Sequence, residues 1–122
     1  MILPDTSVWI EHFRKNDPRF DLLLTTEEIL AHPYVVVELA LGDLKKRTIT
    51  LYMLDNLPTA NVAEHRDILR LIENNDLAMT GIGFVDAHLL ASVKLVPGTI
   101  LWTNDKRLAR QAERLALPLF NA

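Results

Sequence analysis

The chain has 122 residues, of which 49% are hydrophobic and 24% are charged, and its formal net charge is −3. This composition is typical of one globular domain spanning residues 1–122 and excludes an intrinsically disordered chain. The absence of cysteine excludes a disulfide scaffold, a zinc–thiolate site and a cysteine nucleophile.

The sequence disfavours a membrane-spanning protein and a protein with a signal peptide. No apolar run reaches the roughly 18 residues of a membrane span. The N-terminus has an acid inside its first apolar stretch and no basic segment ahead of it, unlike a signal peptide. We therefore expect a cytoplasmic protein with no membrane partner. The net negative charge, taken alone, argues against nucleic-acid binding, but setting aside the four acids discussed below changes it from −3 to +1, so the charge does not exclude an RNA substrate.

Short apolar runs alternate with helical patterns along the chain. The sequence predicts strands at 1–4, 29–31 and 99–103, a weak strand at 61–63 and an edge strand at 117–120. Between them it predicts helices from 8 to 13, after Pro18, at 33–41, at about 43–56, at 64–74 and at 84–95, and a last helix begun by Asp105. This alternation predicts an α/β fold, namely a three-layer α/β/α sandwich with a mainly parallel sheet of four or five strands. The chemistry of such sheets lies beyond the carboxyl ends of the strands.

Four acidic residues stand in unusual places. Asp5 ends the first apolar strand, and Asp105 ends the strongest strand in the sequence. Glu38 and Asp86 lie in helices among apolar neighbours, and we expect both helices to reach the same edge of the sheet. A buried carboxylate must be protonated, paired with a cation or bound to a metal. Carboxylate oxygens suit Mg²⁺ or Mn²⁺, and carboxylates with such metals are ordinary equipment for phosphodiester hydrolysis.

Each acid also has an ordinary structural explanation. Asp5 and Asp105 could each be the N-cap of the helix that follows, and Asp86 could be a first-turn acid favoured by the helix dipole. Glu38 is the hardest to explain in this way, because its position in the middle of a helix offers it no capping role. We therefore expect Glu38 to be buried, and both explanations stay open for the other three.

Taken together, four segments resemble the PIN-domain ribonucleases, and more narrowly the VapC toxins of toxin–antitoxin pairs. The resemblance covers nearly the whole chain and rests on DTSVWI at 5–10, VELALG at 37–42, VDAHLLA at 85–91 and LWTNDKRL at 101–108. The last segment is the most specific, because it is similar to the Thr-x-Asp strand end of the family. Pro4 and Asn104 depart from the family pattern without removing an acidic residue.

The resemblance implies a metal-dependent endoribonuclease toxin. Asp5, Glu38, Asp86 and Asp105 would be the catalytic metal ligands for Mg²⁺ or Mn²⁺, and the Thr103 hydroxyl would orient a ligand or a water, with Ser7 acting similarly near Asp5. The implied partners are an RNA substrate, a VapB-type antitoxin that blocks the site, and operator DNA reached only through the antitoxin. We expect a homodimer or a toxin–antitoxin hetero-oligomer.

Other readings remain open. A phosphoacceptor receiver domain has a similar length but needs paired acids after the first strand, and a haloacid-dehalogenase-type phosphatase needs a second Asp after Asp5. A silent PIN-fold binding module is a third alternative. The four histidines show no metal-ligand spacing, and Trp9 and Phe13 could form part of a partner groove. The basic residues are either a solvated face or phosphate contacts; they are Lys45, Lys46, Arg47, Arg107, Arg110 and Arg114.

Overall fold

The computed structural model describes residues 1–121, and in this part of the chain it contains two strands and seven helices. In chain order, these are β1 (Ile2–Pro4), α1 (Thr6–Lys15), α2 (Pro18–Thr25), α3 (Pro33–Leu41), α4 (Arg47–Asp55), α5 (His65–Asn74), α6 (Phe84–Leu95), β2 (Ile100–Trp102) and α7 (Lys106–Arg114). Within the described residues, no helix combines the length and the apolarity needed to cross a bilayer.

The two strands pair in parallel, with Ile2 opposite Ile100 and Pro4 opposite Trp102. Isolated parallel bridges continue this pairing on both sides; they join Ile2 to Ile29, Ala31 to Thr59, and Leu101 to Leu119. Five chain segments are therefore aligned in parallel, but only β1 and β2 are strands. The α/β class and the parallel pairing are confirmed. The three layers and the sheet of four or five strands remain predictions.

Both strands are short because helices begin almost directly after them. Pro4 has no N–H for the ladder, and Asp5 at once serves as the N-cap of α1. Asp105 likewise serves as the N-cap of α7, three residues after β2 ends. In a parallel pair the carboxyl ends of both strands meet at the same edge. The backbone N–H of Asp5 donates to the carbonyl oxygen of Trp102 over 2.9 Å, which places the two acid-bearing ends side by side.

The core lies around this strand pair and the helix α6. Residues 87–93 of α6 are all buried, as the nearly continuous apolar sequence of that helix predicted. Leu3, Leu101 and Leu90 are fully buried, and they join the strands and α6 in one apolar cluster. An aromatic group extends this cluster under α1 and α2: the ring of Phe20 lies 4.7 Å from that of Trp9 and 5.4 Å from that of Trp102. This core fixes the elements that carry the four acids.

Candidate active site

Asp5 is held by three hydrogen bonds at the end of β1. The residue is only 3% exposed. One oxygen accepts from the Ser7 hydroxyl at 2.5 Å and from the backbone N–H of Val8 at 3.0 Å, and the other accepts from the Thr103 hydroxyl. Burial raises the pKa of Asp5, and these three hydrogen bonds oppose the rise. The side chain is therefore fixed in one orientation.

Thr103 connects Asp5 to Asp105. Its hydroxyl donates to the carboxylate of Asp5 and accepts from the backbone N–H of Asp105 at 2.9 Å. The carboxylate of Asp105 accepts in turn from the backbone N–H groups of Arg107, at 2.8 Å, and of Leu108, at 3.3 Å. The negative charge of Asp105 contributes to the raised pKa of Asp5. Thr103 thus joins the carboxylate of Asp5 to the backbone of Asp105, and its orienting role toward a ligand or a water remains a prediction.

Asp86 is half-buried in the first turn of α6. One of its oxygens accepts from the backbone N–H of Gly83 at 3.3 Å. Burial is the main cause of its raised pKa, followed by the charges of Asp105, Asp5 and Glu38. The structure therefore brings the four predicted acids around one region. We call this set, Asp5, Glu38, Asp86 and Asp105, the acidic cluster.

Glu38 belongs to the acidic cluster, but the prediction that it is buried was wrong. Val35 and Leu39 face the core, whereas Glu38 lies on the exposed side of α3 with Val37 and Leu41, which are 54% and 83% exposed. Apolar neighbours on a helix indicate burial only if they share the buried face. The Glu38 carboxylate accepts a hydrogen bond from the Thr6 hydroxyl, which orients it from the start of α1.

Three of the acids also have the capping roles left open by the sequence. Asp5 and Asp105 are N-caps, and Asp86 accepts from the backbone N–H of the residue that caps α6. The same carboxylates therefore stabilise helices and converge on one region. Among residues 1–121, no group of three or more histidine, aspartate and glutamate side chains is arranged so as to hold a metal ion. The acidic cluster is close enough for mutual repulsion but does not form a closed ligand shell.

Two residues at the site were missed by the sequence analysis. Asn104 donates from its backbone to the Ser7 hydroxyl at 3.2 Å and from its side chain to Glu11 at 2.7 Å. Thr6 holds Glu38, although they are 32 positions apart. The hydroxyl-rich Asp5-Thr6-Ser7 segment was a usable signal for Thr6. Nothing local in the sequence links Asn104 to Glu11.

Three of the four histidines are buried, and their contacts are mainly with aromatic rings. The ring of His88 lies 4.7 Å from that of Tyr34, 4.8 Å from that of Phe84 and 5.9 Å from that of His32. His12 stacks on Phe20 with ring centroids 4.3 Å apart. Since these rings are part of the core packing, the structure gives the histidines no evident place among the predicted site residues.

The basic residues divide into two groups. Arg47 donates to the carbonyl oxygen of Ala40 at the end of α3, and Arg114 donates to the side chain of Gln111 at 2.8 Å. These two side chains therefore hold the fold of the chain. The other four are exposed, and their contact with phosphate remains a prediction; they are Lys45, Lys46, Arg107 and Arg110.

A cavity of about 470 Å³ lies against the acidic cluster at Glu38, between α1 and the region that joins α3 to α4. Its lining includes Ile10 and Phe13 of α1, which are 46% and 37% exposed. Trp9 is fully buried in the core instead. Of the two residues predicted to form part of a partner groove, Phe13 lines this cavity and Trp9 does not.

Comparison with known proteins gives three consistent results. The family model for the PIN domain matches residues 2–114. Ribonuclease VapC32 from two strains of Mycobacterium tuberculosis, CDC 1551 / Oshkosh and ATCC 25618 / H37Rv, is 52% identical over 108 residues, which are 88% of this chain and 87% of the relative. The crystal structure of PAE2754 from Pyrobaculum aerophilum is similar in fold, with a TM-score of 0.59 and 16% sequence identity over 90% of this chain and 84% of that chain.

Proposed function

The chain belongs to the PIN domain family as a VapC-type ribonuclease, and we propose that it is the endoribonuclease toxin of a type II toxin–antitoxin pair. In this proposal the chain hydrolyses RNA phosphodiester bonds with Mg²⁺ or Mn²⁺. The 52% identity to a relative named as a ribonuclease supports the activity. The acidic cluster supports the metal dependence.

The observation that carries the proposal is the convergence of four carboxylates from four separate elements. The charges of Asp105, Asp5 and Glu38 all contribute to the raised pKa of Asp86, so the four groups act on one another through space. Packing four negative charges together is unfavourable unless a cation joins them. Carboxylate oxygens are the ligands that Mg²⁺ and Mn²⁺ prefer. The donor set therefore fits a divalent metal by its chemistry.

The residues of the acidic cluster differ in how freely they can move to bind an ion. Asp5 is fixed by its three donors, and one oxygen of Asp105 is held by the cap of α7. Asp86 accepts one hydrogen bond, from Gly83, and Glu38 accepts one, from Thr6, so each side chain can rotate toward the fixed pair by giving up a single hydrogen bond. Since the carboxylates do not form a closed shell, we propose that this rotation accompanies binding of the metal.

When bound, such a metal activates water and neutralises charge on the phosphate. The contribution of the chain itself is orientation. Thr103 and Ser7 keep the carboxylate of Asp5 aimed at the common region, and the N-cap of α7 does the same for Asp105. Because the carboxylates of Asp5 and Asp105 are already held in place, less entropy would be lost when the RNA phosphate and the water are brought together.

The partners follow from the same proposal. A VapB-type antitoxin would silence the enzyme by covering the acidic cluster, and the cavity lined by Ile10, Phe13 and Glu38 offers it an exposed apolar surface beside that cluster. Operator DNA would be reached only through the antitoxin. We also propose that the toxin forms a homodimer or a toxin–antitoxin hetero-oligomer, and that it acts in the cytoplasm.

The alternatives have less support. A receiver domain needs a phosphoacceptor aspartate after its third strand, and the family match points elsewhere. A silent PIN fold is expected to have lost an acid of the site, whereas all four are present here. We therefore retain a catalytic function.

The test is cleavage of a mixed pool of single-stranded RNA by the purified chain, with Mg²⁺, with Mn²⁺ and with excess EDTA. We expect metal-dependent cleavage that Asp5→Asn and Asp86→Asn each reduce at least about a hundredfold, since each removes one ligand charge. Asp76→Asn is the matched control, because Asp76 is exposed in a loop outside the acidic cluster. Equal cleavage by the wild type and the two site variants, or cleavage that survives EDTA, would contradict the proposal.

A further inference from the structure

A second cavity, of about 280 Å³, lies between α1, α2 and the end of β2. Its floor includes Val8, Phe20 and Trp102, which are buried core residues. Its rim is polar and includes Lys15, Arg19, Asn16 and Asn104. We call this cavity the α1–α2 cleft. None of the four acids of the acidic cluster lines it, so it is a separate feature.

The α1–α2 cleft adjoins the acidic cluster through Asn104. The side chain of Asn104 donates to Glu11, which also lines the cleft. Its backbone N–H donates to the hydroxyl of Ser7, and this hydroxyl donates to Asp5. Two successive hydrogen bonds thus lead from the cleft to the carboxylate at the centre of the site. A group bound in the cleft would lie next to whatever the acidic cluster binds.

Arg19 provides the cleft with a planar group held in a fixed place. Its guanidinium donates to the carboxylate of Asp17 at 3.0 Å and at 3.4 Å. It also lies over the ring of Trp102, 5.9 Å from the ring centroid. The Arg19 side chain is nevertheless 54% exposed, so it can contact a ligand. Guanidinium planes and amide side chains are the groups that proteins use to stack on unpaired RNA bases and to bond to their edges.

The charge of the cleft indicates which part of a nucleotide it takes. The positive charges of Lys15 and Arg19 are balanced by Glu11 and Asp17 in the same lining. A phosphate subsite would need a positive excess, because phosphate affinity comes mainly from cationic contacts. A planar cation and two amide side chains, in a lining whose charges balance, suit a neutral, flat, polar-edged group instead.

From these observations we propose that the α1–α2 cleft receives one unpaired nucleobase of the RNA next to the cleaved phosphodiester. Arg19 stacks on the base, and Asn104 bonds to its edge. The inference rests on the proposed ribonuclease function and adds to it a contact that selects single-stranded RNA by a base rather than by the backbone.

The experiment measures binding separately from cleavage. Labelled decamers of polyuridine, of polyadenosine, and of a fully abasic ribose-phosphate chain are titrated with the purified chain in EDTA, and fluorescence anisotropy reports affinity. We expect the wild type to bind at least one base-bearing decamer about tenfold or more tightly than the abasic decamer of the same charge. Arg19→Ala should remove that preference. Arg19→Lys should also remove it, because lysine keeps the charge but lacks the plane.

Arg66→Ala is the matched control, because Arg66 is exposed on α5 and outside the cleft. It should keep the wild-type preference for bases. Asn104→Ala should narrow the difference in affinity between the two base-bearing decamers, because it removes the bond to the base edge, and an unchanged difference would contradict this role of Asn104. Thermal unfolding of each variant verifies that it is folded.

Two results would overturn the inference while leaving the proposed function intact. One is a wild type that cleaves RNA but binds the abasic decamer as tightly as the others. The other is an Arg19→Ala variant that weakens all three decamers equally, which would make Arg19 a phosphate contact. Failure of the wild type to bind or cleave any RNA would instead contradict the proposed function itself.

Discussion

The buried ring of His32 makes the stability of this fold depend on pH. His32 is fully buried before α3, and its Nδ1 accepts from the backbone N–H of Tyr34 at 3.0 Å. Its other ring nitrogen, Nε2, is buried without a hydrogen-bond partner among residues 1–121. Burial, together with the neighbouring His88, lowers the pKa of His32 from 6.5 to about 4. The ring is therefore neutral at pH 7 in the folded chain.

Whether a lower pH stabilises or destabilises the fold depends on which state, folded or unfolded, binds the proton on His32 more tightly. An unfolded chain takes up a proton on His32 near pH 6.5, whereas the folded chain resists it until about pH 4. Lowering the pH through this window therefore favours unfolding. The slope is about 1.4 kcal/mol per pH unit, so His32 alone should remove about 2 kcal/mol of unfolding free energy between pH 7 and pH 5. Asp5 and Asp86 act in the opposite direction, because their pKa values are raised.

A variant isolates the contribution of His32 from those of the acids. His32→Asn keeps a side chain that can cap α3 but cannot take up a proton. Urea unfolding at pH 7 and pH 5, followed by the fluorescence of the buried Trp9 and Trp102, gives the two free energies. We expect the variant to lose about 2 kcal/mol less than the wild type over this interval. The control His65→Asn makes the same change at an exposed position and should keep the wild-type pH dependence. An equally steep loss in His32→Asn would refute the reasoning.

Three further predictions concern the site and the core. Thr103→Val removes the hydroxyl shared by Asp5 and Asp105, and urea unfolding should show a loss of about 1–3 kcal/mol because two polar groups lose a partner. Thr103→Ser should restore most of that loss, and failure to do so would assign it to packing. Asp5→Asn keeps an N-cap and removes a buried charge but offers one acceptor oxygen in place of two, so these effects oppose each other. At pH 7 the variant should remain folded and melt cooperatively although the proposed cleavage is lost, and the absence of a cooperative melting transition would contradict this. Leu90→Ala should cost about 2–5 kcal/mol in the same urea assay, since Leu90 is fully buried, and a cost near zero would mean that α6 does not pack as described.

Elements with strong local signals could be predicted from the sequence. The helix at 33–41 has both bounds as predicted, because a proline begins it and Gly42 follows it. The helix at 84–95 also matches, since its apolar residues form one continuous run. The helix predicted from about 43 begins only at Arg47. Lys46 adopts a left-handed conformation with φ 49°, and its residue type gives no sign of this.

The site could be predicted in position but not in detail. That Asp5 and Asp105 would lie together followed from two parallel strand ends, and the pairing of β1 with β2 confirms the geometry behind that expectation. The exposure of Glu38 could not be predicted, because it depends on which side of α3 packs on the core. The contact between Asn104 and Glu11 was equally hidden, since tertiary folding brings together residues 93 positions apart. The sequence predicted a weak strand at 61–63, but the parallel bridge to Ala31 forms at Thr59. The position of this bridge also depends on tertiary folding and could not be predicted from the local sequence.

The capping roles of the acids bear on how such a protein would lose its activity in a population. Under the proposed function, cells that carry the active toxin would gain from mutations that disable it. An aspartate-to-asparagine change needs one base transition in the codon, and asparagine caps a helix as well as aspartate does. At Asp5 and Asp105, which we propose as metal ligands, we expect such a mutation to leave the chain folded and to remove the proposed activity. Such a chain would keep the surface proposed for the antitoxin, so we expect mutants of this kind to continue binding antitoxin without cleaving RNA.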